Sequence, residues 1–466
     1  MISPSLHPDP IAARCERRRW WGFGLTPRGM GLLLFGFVWL IPGFWVSALA
    51  WTMLAWDGLV LLVALLDGLR LPTPAQLTAT RSWSNAPALD SETEVELAVE
   101  NQGRTIVECR LVDDLPRCMV PEPATLRLTA FPRVPARLRY RFRPTERGDW
   151  TTGWLYLRYR SPLGLAERWA RAPLTQTVRV YPALRAGEEQ QIFLARSRQI
   201  DLQLRRAQQR GLGRDFESLR EYRDGDDLRD ICWTATARRG TPITRQYQTE
   251  RSQPVWIVVD CGRLMRSRVS AGKAGQGARH SKLDHACSTA VALAQLALYS
   301  GDRVGLLAYG QGVQQRLLPG RGAAHLRQII EALALAKAEP AEADHLRATA
   351  VLSRLQPRRS LVLWITDLAE SAMRPEVIDG ASQILRRHVL LFVAMAQPEV
   401  EAIAQARPAN ATEMFRAAAA QQMAGRRELL LARLHEQGAL TLDLTPETLT
   451  STVLNQYLMV KERAMV

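Results

Sequence analysis

The sequence predicts a multidomain chain: an N-terminal transmembrane α-hairpin, an all-β sandwich, and a doubly wound α/β domain. Three observations carry this. Gly29–Leu66 runs 38 residues with a single charge, Asp57. Residues 72–183 alternate apolar and polar side chains with a period of two, the mark of strands with one buried and one wet face. Beyond residue 252, short apolar runs alternate with helical stretches, the pattern of an open parallel sheet. At 466 residues the chain also exceeds what one hydrophobic core ordinarily serves.

Composition excludes several classes. Hydrophobic residues at 47% and charged residues at 23% are globular usage, not that of a disordered chain. A mean hydropathy of −0.14 excludes a many-span transporter. The net charge of +15 is almost wholly arginine, with only Lys273, Lys282, Lys337 and Lys461 as lysines. Six cysteines (Cys15, Cys109, Cys118, Cys232, Cys261, Cys287) form no CxxC pair, which excludes a zinc ribbon or disulfide scaffold and predicts reduced thiols.

Residues 1–27 read as a basic cytoplasmic tail and 28–67 as two transmembrane helices. One span needs ~20 apolar residues, so the 38-residue stretch fits two short helices, near 28–45 and 47–66, broken around Ile41-Pro42-Gly43. Arg14, Arg17, Arg18, Arg19 and Arg28 precede the first helix, Arg70 and Arg81 follow the second, and the turn has none. Both ends are therefore expected on the cytoplasmic side of the inner membrane, with the soluble domains in a reducing compartment. Asp57 has two readings: a polar contact to another helix, or a position near the far face of the membrane.

Residues 72–183 read as a β-sandwich. Val95, Leu97 and Val99 alternate with glutamates, and Leu138, Tyr140 and Phe142 with Arg137, Arg139, Arg141 and Arg143. Further strands are expected near 76–81, 105–112, 124–130, 149–160 and 176–181. The arginine row reads as a solvated strand face, with acidic lipid or a partner as the alternative.

Residues 184–251 read as a charged linker and motif. Between 201 and 251 stand eleven arginines and nine carboxylates, too evenly neutralised for a nucleic-acid footprint, which needs one sign on one face. They suit a network of Arg–carboxylate pairs, with Tyr222, Ile231, Trp233 and Ala237 anchoring the segment onto the neighbouring domain. The run Gly211-x-Gly213-x-Asp215-Phe216-x-x-Leu219-Arg220-x-Tyr222-x-x-Gly225-Asp226-Asp227-x-Arg229-x-Ile231-x-Trp233-x-Ala235-x-Ala237-Arg238 resembles the signature of the bacterial domain of unknown function 58 family. That resemblance implies a membrane-anchored protein with a von Willebrand factor A-like domain, associated with a MoxR-type AAA+ ATPase and carrying no established enzymatic activity. Arg220, Tyr222, Asp226, Arg229, Trp233 and Arg238 are the residues expected to carry the motif, as fold or as docking surface.

Residues 252–466 read as the α/β domain. Pro254–Asp260, Arg303–Tyr309, Leu361–Asp367 and Val389–Ala394 are expected strands, with an edge strand at Thr441–Leu444. Ser281 and Asp284 make a capping box ahead of a helix over 282–299; further helices are expected near 322–337, 375–386 and 411–435, and a last one after the edge strand. Ligands in such sheets bind beyond the carboxyl ends of strands, here at Asp260 and Asp367.

The resembled fold carries a divalent-metal site there, written D-x-S-x-S with a threonine and a later aspartate. This chain has Asp260-Cys261-Gly262-Arg263-Leu264, so both serines are gone. Asp260 and Asp367 alone make a degenerate site for a hard cation such as magnesium, and no cofactor is expected. The stretch from Gly262 to Leu283 holds Arg263, Arg266, Arg268, Lys273, Arg279 and Lys282 without an acid. It reads as a surface loop, or as one that meets an acidic partner or replaces the lost metal's charge.

No nucleophile–base pair and no phosphate-binding glycine motif stands out. The expected function is a non-enzymatic, membrane-anchored interaction protein, partner of a MoxR-type ATPase in assembling or maturing protein complexes. The alternative is a metal-dependent adhesion-type domain with a damaged metal site.

Overall fold

A computed structural model describes residues 8–17, 24–39, 47–119, 125–183, 215–223, 228, 231–248, 253–270, 279–368 and 376–463. The chain divides into two compact units, Met1–Ala183 and Leu184–Val466.

In the first unit, strands β1 (Ile11–Arg14), β2 (Glu16–Arg17) and β3 (Gly24–Leu25) precede two helices, α1 (Pro27–Gly36) and α2 (Ser47–Leu69). Strands β4 (Leu77–Trp83), β5 (Thr93–Asn101), β6 (Val107–Asp113), β7 (Thr125–Ala130), β8 (Ala136–Phe142), β9 (Gly148–Thr151), β10 (Leu155–Arg160), β11 (Ala166–Ala172) and β12 (Thr177–Val180) follow. One sheet runs β1-β4-β5-β8 and another β2-β11-β10-β6-β7, with β3 also on β11. Leu77, Val95 and Leu97 of the first share one core with Val107, Leu111, Leu155 and Ala170 of the second. The alternation read in the sequence is visible as strict burial alternation along β4 and β6.

Residues 11–17 correct the expectation of a basic tail. β1 pairs along β4 from Ile11↔Arg81 to Arg14↔Thr78, because Ile11, Ala13 and Cys15 face inward while Ala12 and Arg14 are exposed. Cys15, Cys109 and Cys118 are buried free thiols, their pKa pushed up to about 12 by burial. The arginine row of β8 meets the glutamates of β5: Arg139 Nε lies 2.7 Å from Glu96 and Arg141 Nε 2.9 Å from Glu94. It is a cross-strand charge ladder.

α1 and α2 form an antiparallel pair. The Trp56 indole donates to the Leu32 carbonyl at 2.9 Å, and Trp56 meets Phe35 edge-on at 6.0 Å. Any Cβ at Gly36 would collide with the Asp57 carboxylate, so glycine permits this close approach. Asp57 is thus at the helix–helix contact, with its Oδ1 buried and not hydrogen-bonded among the described residues. Of the two, α2 alone among the described residues is long and apolar enough to cross a membrane. The first helix is described only to Trp39.

One loop holds both outer ends of this pair. Thr26, the N-cap of α1, donates its N–H to Leu165 O at 2.9 Å and its hydroxyl to Gly164 O at 2.5 Å. Asp67, near the end of α2, accepts N–H groups of Leu163 and Leu165, both at 3.3 Å. Thr26→Ala is expected to lose about 1 kcal/mol of cap energy, read as faster amide exchange in residues 27–36 with the rest of the chain unchanged.

In the second unit, a hairpin of β13 (Asp215–Glu221) and β14 (Ile243–Gln248) encloses the short helix α3 (Trp233–Arg239), which Gly240 ends in a left-handed conformation, φ 74°. The main sheet comprises β15 (Pro254–Asp260), β18 (Arg303–Tyr309), β19 (Val313–Gly320), β20 (Leu361–Thr366), β21 (Val389–Met395) and β22 (Leu440–Leu444). A two-stranded ribbon, β16 (Arg268–Ser270) with β17 (Arg279–Ser281), lies between the first two in sequence. The sheet order is β19-β18-β15-β20-β21-β22, parallel except for β19.

Helices α4 (Lys282–Tyr299), α5 (Gly322–Leu335), α6 (His345–Leu355), α7 (Glu376–Leu385), α8 (Pro398–Gln405), α9 (Ala411–Glu436) and α10 (Pro446–Glu462) complete it. α5 and α10 pack on α4, which lies on β15 and β18. Ala348 of α6, Val377 of α7 and Leu430 of α9 share a core with Trp256, Val362 and Phe392 of the strands. β19 and helices α6 and α8 were not among the expected elements, nor was the β16–β17 ribbon, where a surface loop was expected.

Candidate functional site

The chain leaves β15 toward β18 and returns on its other side as β20, so the strand order reverses beside β15. In open α/β sheets that reversal, at the carboxyl ends of the strands, forms the usual ligand crevice. Asp260 closes β15 and Asp367 follows β20, which are neighbours in register from Val255↔Leu361 to Val259↔Ile365. The two carboxylates marked in the sequence therefore flank this point.

Their lone pairs are already engaged. Asp260, 3% exposed, accepts the Gly262 N–H at 2.7 Å and the Thr366 hydroxyl at 2.6 Å. Asp367, 1% exposed, receives the Lys282 ammonium at 2.5 Å, Gln397 Nε2 at 3.2 Å to each oxygen, and Arg427 Nη1 at 3.4 Å. Arg427 also forks onto Asp443, at 2.9 and 2.7 Å. Burial opposes the Arg427 charge, but Asp443 and Asp367 hold its pKa above the ordinary value.

A divalent ion does not fit this arrangement. It would need oxygen ligands in near-octahedral array, whereas a buried ammonium already occupies the carboxylate of Asp367. The hydroxyls of a D-x-S-x-S loop are absent, and Gly262 has no side chain to offer. Among the described residues no group of three or more histidine, cysteine or acidic side chains could hold a metal.

A buried polar chain lies alongside. Trp364 Nε1 donates to Tyr309 Oη at 2.7 Å, and Tyr309 Oη shares a hydrogen bond with His345 Nδ1 at 2.9 Å. Burial lowers the His345 pKa, with Asp260 opposing, while burial raises that of Asp260. For a base with a depressed folded pKa, the unfolded chain binds the extra proton. The contribution is intact above the unfolded value near 6.5 and is lost as pH falls through it. Asp260 acts in the opposite sense, and the two groups titrate as a pair. His345→Gln is expected to flatten the fall in urea midpoint between pH 7.5 and 5.5 relative to wild type; an unchanged slope would remove His345 from the account.

The motif residues are dispersed over the hairpin. Arg220 on β13 donates to the Glu221 carbonyl at 3.2 Å, and the Tyr222 N–H donates to Pro242 O at 2.9 Å. Arg238 stands exposed in the last turn of α3. Asp226 and Arg229 lie outside the described residues. Trp233 corrects its expectation: it is 70% exposed, so its indole does not anchor the segment. Within the hairpin, the Cys232 N–H donates to Ile243 O at 2.8 Å and Ile231 bridges to Thr244, which ties the motif to its own second strand.

Lys282, Arg427, Gln397 and Thr366 are the site residues that pattern reading did not single out as a group. One signal was present. Lys282 is the first residue of α4, directly after the Ser281–Asp284 capping box, and a cation at a helix N-terminus opposes the macrodipole. A lysine there is accounted for by a carboxylate in tertiary contact. Arg427, mid-helix in α9, gave no such sign.

A family model described as "Protein of unknown function DUF58" matches residues 218–412, from the motif hairpin through β21 and into α9. Uncharacterized proteins of Mycobacterium bovis and Mycobacterium tuberculosis are 29% identical over 192 residues, 40% of this chain and 56% of theirs. The match thus spans little more than half the length of those relatives. Among solved structures, the conserved hypothetical protein BatB from Bacteroides thetaiotaomicron covers 46% of this chain and 100% of its own at 12% identity and TM-score 0.29. An uncharacterized membrane spanning protein from Vibrio fischeri covers 43% and 95% at 12% identity and TM-score 0.18. Likeness at that level carries no further argument. The matched segment, together with the motif that opens it, is similar to the DUF58 family over residues 218–412.

Proposed function

We propose that this protein is a membrane-anchored, non-catalytic interaction module that docks a MoxR-type AAA+ ATPase through its motif hairpin. The observation that carries the reading is the exposure of apolar side chains on that hairpin: Trp233 at 70%, Leu228 at 68% and Leu219 at 42%. Large apolar groups left in solvent on a segment otherwise dense in charge mark a contact surface. The crevice supports the non-catalytic part, because Asp260 and Asp367 are buried and bonded to protein donors. The sheet order supports a von Willebrand A-like reading of the second unit. The apolar helix α2 supports the anchor, and the arginines flanking the helices support a cytoplasmic position for both units. The ATPase itself rests on the family resemblance.

The test is affinity purification of the full chain from its native membrane in mild detergent, with and without ATP, beside Trp233→Ala. An exposed indole can be removed without unfolding the chain, which circular dichroism checks. Recovery of an AAA+ ATPase with wild type and a clear loss with the variant is the expected result. Absence of any AAA+ ATPase in both nucleotide states would sink the partner assignment.

A further inference from the structure

We propose that the pocket at the foot of α1 binds the phosphate of an anionic phospholipid headgroup. The proposal rests on the reading of the α1–α2 pair as a membrane anchor. The pocket has a volume of about 690 Å³, and Arg28, Ile106, Glu108, Arg160 and Pro162 form much of its wall.

Its remaining polar groups are largely spoken for. The hydroxyls of Thr26, Thr105 and Ser161 donate to the carbonyls of Gly164, Arg70 and Ala166. The donors left for a ligand are two guanidinium groups. Arg28, exposed in the first turn of α1, has no hydrogen bond or ion pair among the described residues. Arg160 has a buried Nε without a hydrogen-bond partner. Its nearest acid, Glu167 at 3.9 Å, is held more closely by Arg158 at 2.6 Å. Against these stands Glu108, the one acid in the lining, so the wall keeps a net positive charge. Two planar forks in the wall of one hollow suit a phosphate, which accepts bidentate hydrogen bonds on several faces.

Placement favours a lipid as the source of that phosphate. The pocket opens where α1 leaves the soluble domain, and Met30 and Leu34 just beyond it are 56% and 65% exposed. Ile106 and Leu163 beside it are 49% and 56% exposed, apolar side chains that acyl chains would cover. Arginines at that depth lie in the headgroup layer, where anionic lipid is concentrated. Arg70, whose carbonyl fixes Thr105, adds a further cation at the end of α2.

The test titrates phosphatidylglycerol, phosphatidylcholine, glycerol 3-phosphate and inorganic phosphate into the full chain in neutral detergent, with occupancy read by native mass spectrometry. Wild type is compared with Arg28→Gln/Arg160→Gln and with Arg137→Gln, a charge loss on the distant strand ladder. Wild type is expected to prefer phosphatidylglycerol, and the double variant to bind it about thirtyfold less tightly, five- to sixfold per arginine at the strength of a basic residue beside an anionic leaflet. Arg137→Gln should bind as wild type does. Equal binding by the double variant, or no preference over phosphatidylcholine, overturns the site. Binding of inorganic phosphate as tight as that of the lipid overturns the lipid source. Arg28→Lys/Arg160→Lys, which keeps the charge, is expected to recover most of the affinity if the double variant has kept its fold. Membrane fractionation in cells separates the two readings: the double variant stays in the membrane if only the headgroup site is lost, and wild type in the soluble fraction refutes the anchor itself.

Discussion

Replacing Lys282 by methionine is expected to destabilise the α/β unit by about 3 kcal/mol or more, at the lower end of what breaking a buried ion pair costs. Lys282 and Asp367 have side chains 4% and 1% exposed, so solvent cannot take over the lost interaction. Arg427 and Gln397 still reach Asp367, which keeps the loss from the upper end of the range. In a unit of this size the shift in Tm is about 6–10 °C. Asp367→Leu should cost a similar amount by stranding Lys282 and weakening the hold on Arg427. The double variant Lys282→Met/Asp367→Leu should cost much less than the sum, because it removes charge and countercharge together. Additive losses would mean that the two groups do not act as a pair. Magnesium at millimolar concentration should leave the wild-type Tm unchanged; a rise of several degrees would show that the crevice takes a metal after all.

This crevice shows what sequence can and cannot reveal. Asp260 and Asp367 were legible because each ends a continuous apolar run, and the carboxyl ends of such strands meet at the crevice. The capping box before α4 was legible because its residues are local, three apart. Lys282 to Asp367 spans 85 residues, and Arg427 approaches from a helix whose apolar face is weak; no local pattern encodes either. β19 was missed because Val313–Gly320 contains a proline and a glycine at its end and lies at a sheet edge, where alternation is loose. α6 was missed because it is short, 11 residues, and follows a loop of small and acidic residues. In the sandwich, β1 was hidden by the arginines that follow it in sequence; its own exposed positions are Ala12 and Arg14.

The second large effect is expected in the sandwich, from Arg81→Met. Arg81 on β4 is fully buried and forks onto Asp113 at the end of β6, while its Nη1 donates to Thr152 Oγ1 at 2.9 Å and to Leu174 O at 2.7 Å. β4 and β6 belong to different sheets, so this one side chain sutures the two layers. Tyr140 of β8 adds its hydroxyl to Asp113 at 2.5 Å, and burial with Asp113 beside it raises the phenol pKa. Truncation to methionine leaves Asp113 charged in an apolar interior, at a cost of about 3–5 kcal/mol. Hydrogen exchange of the full chain in detergent should show the loss in residues 77–83 and 107–113, with the α/β unit unaffected. Arg139→Met on the exposed ladder of the same sheet should change little, since surface pairs contribute weakly. Adding Asp113→Leu to Arg81→Met should recover much of the protection, because an apolar pair can fill the gap between the sheets without a stranded charge. If the double variant is no better than Arg81→Met, the bonds to Thr152 and Leu174 rather than the ion pair hold the layers together.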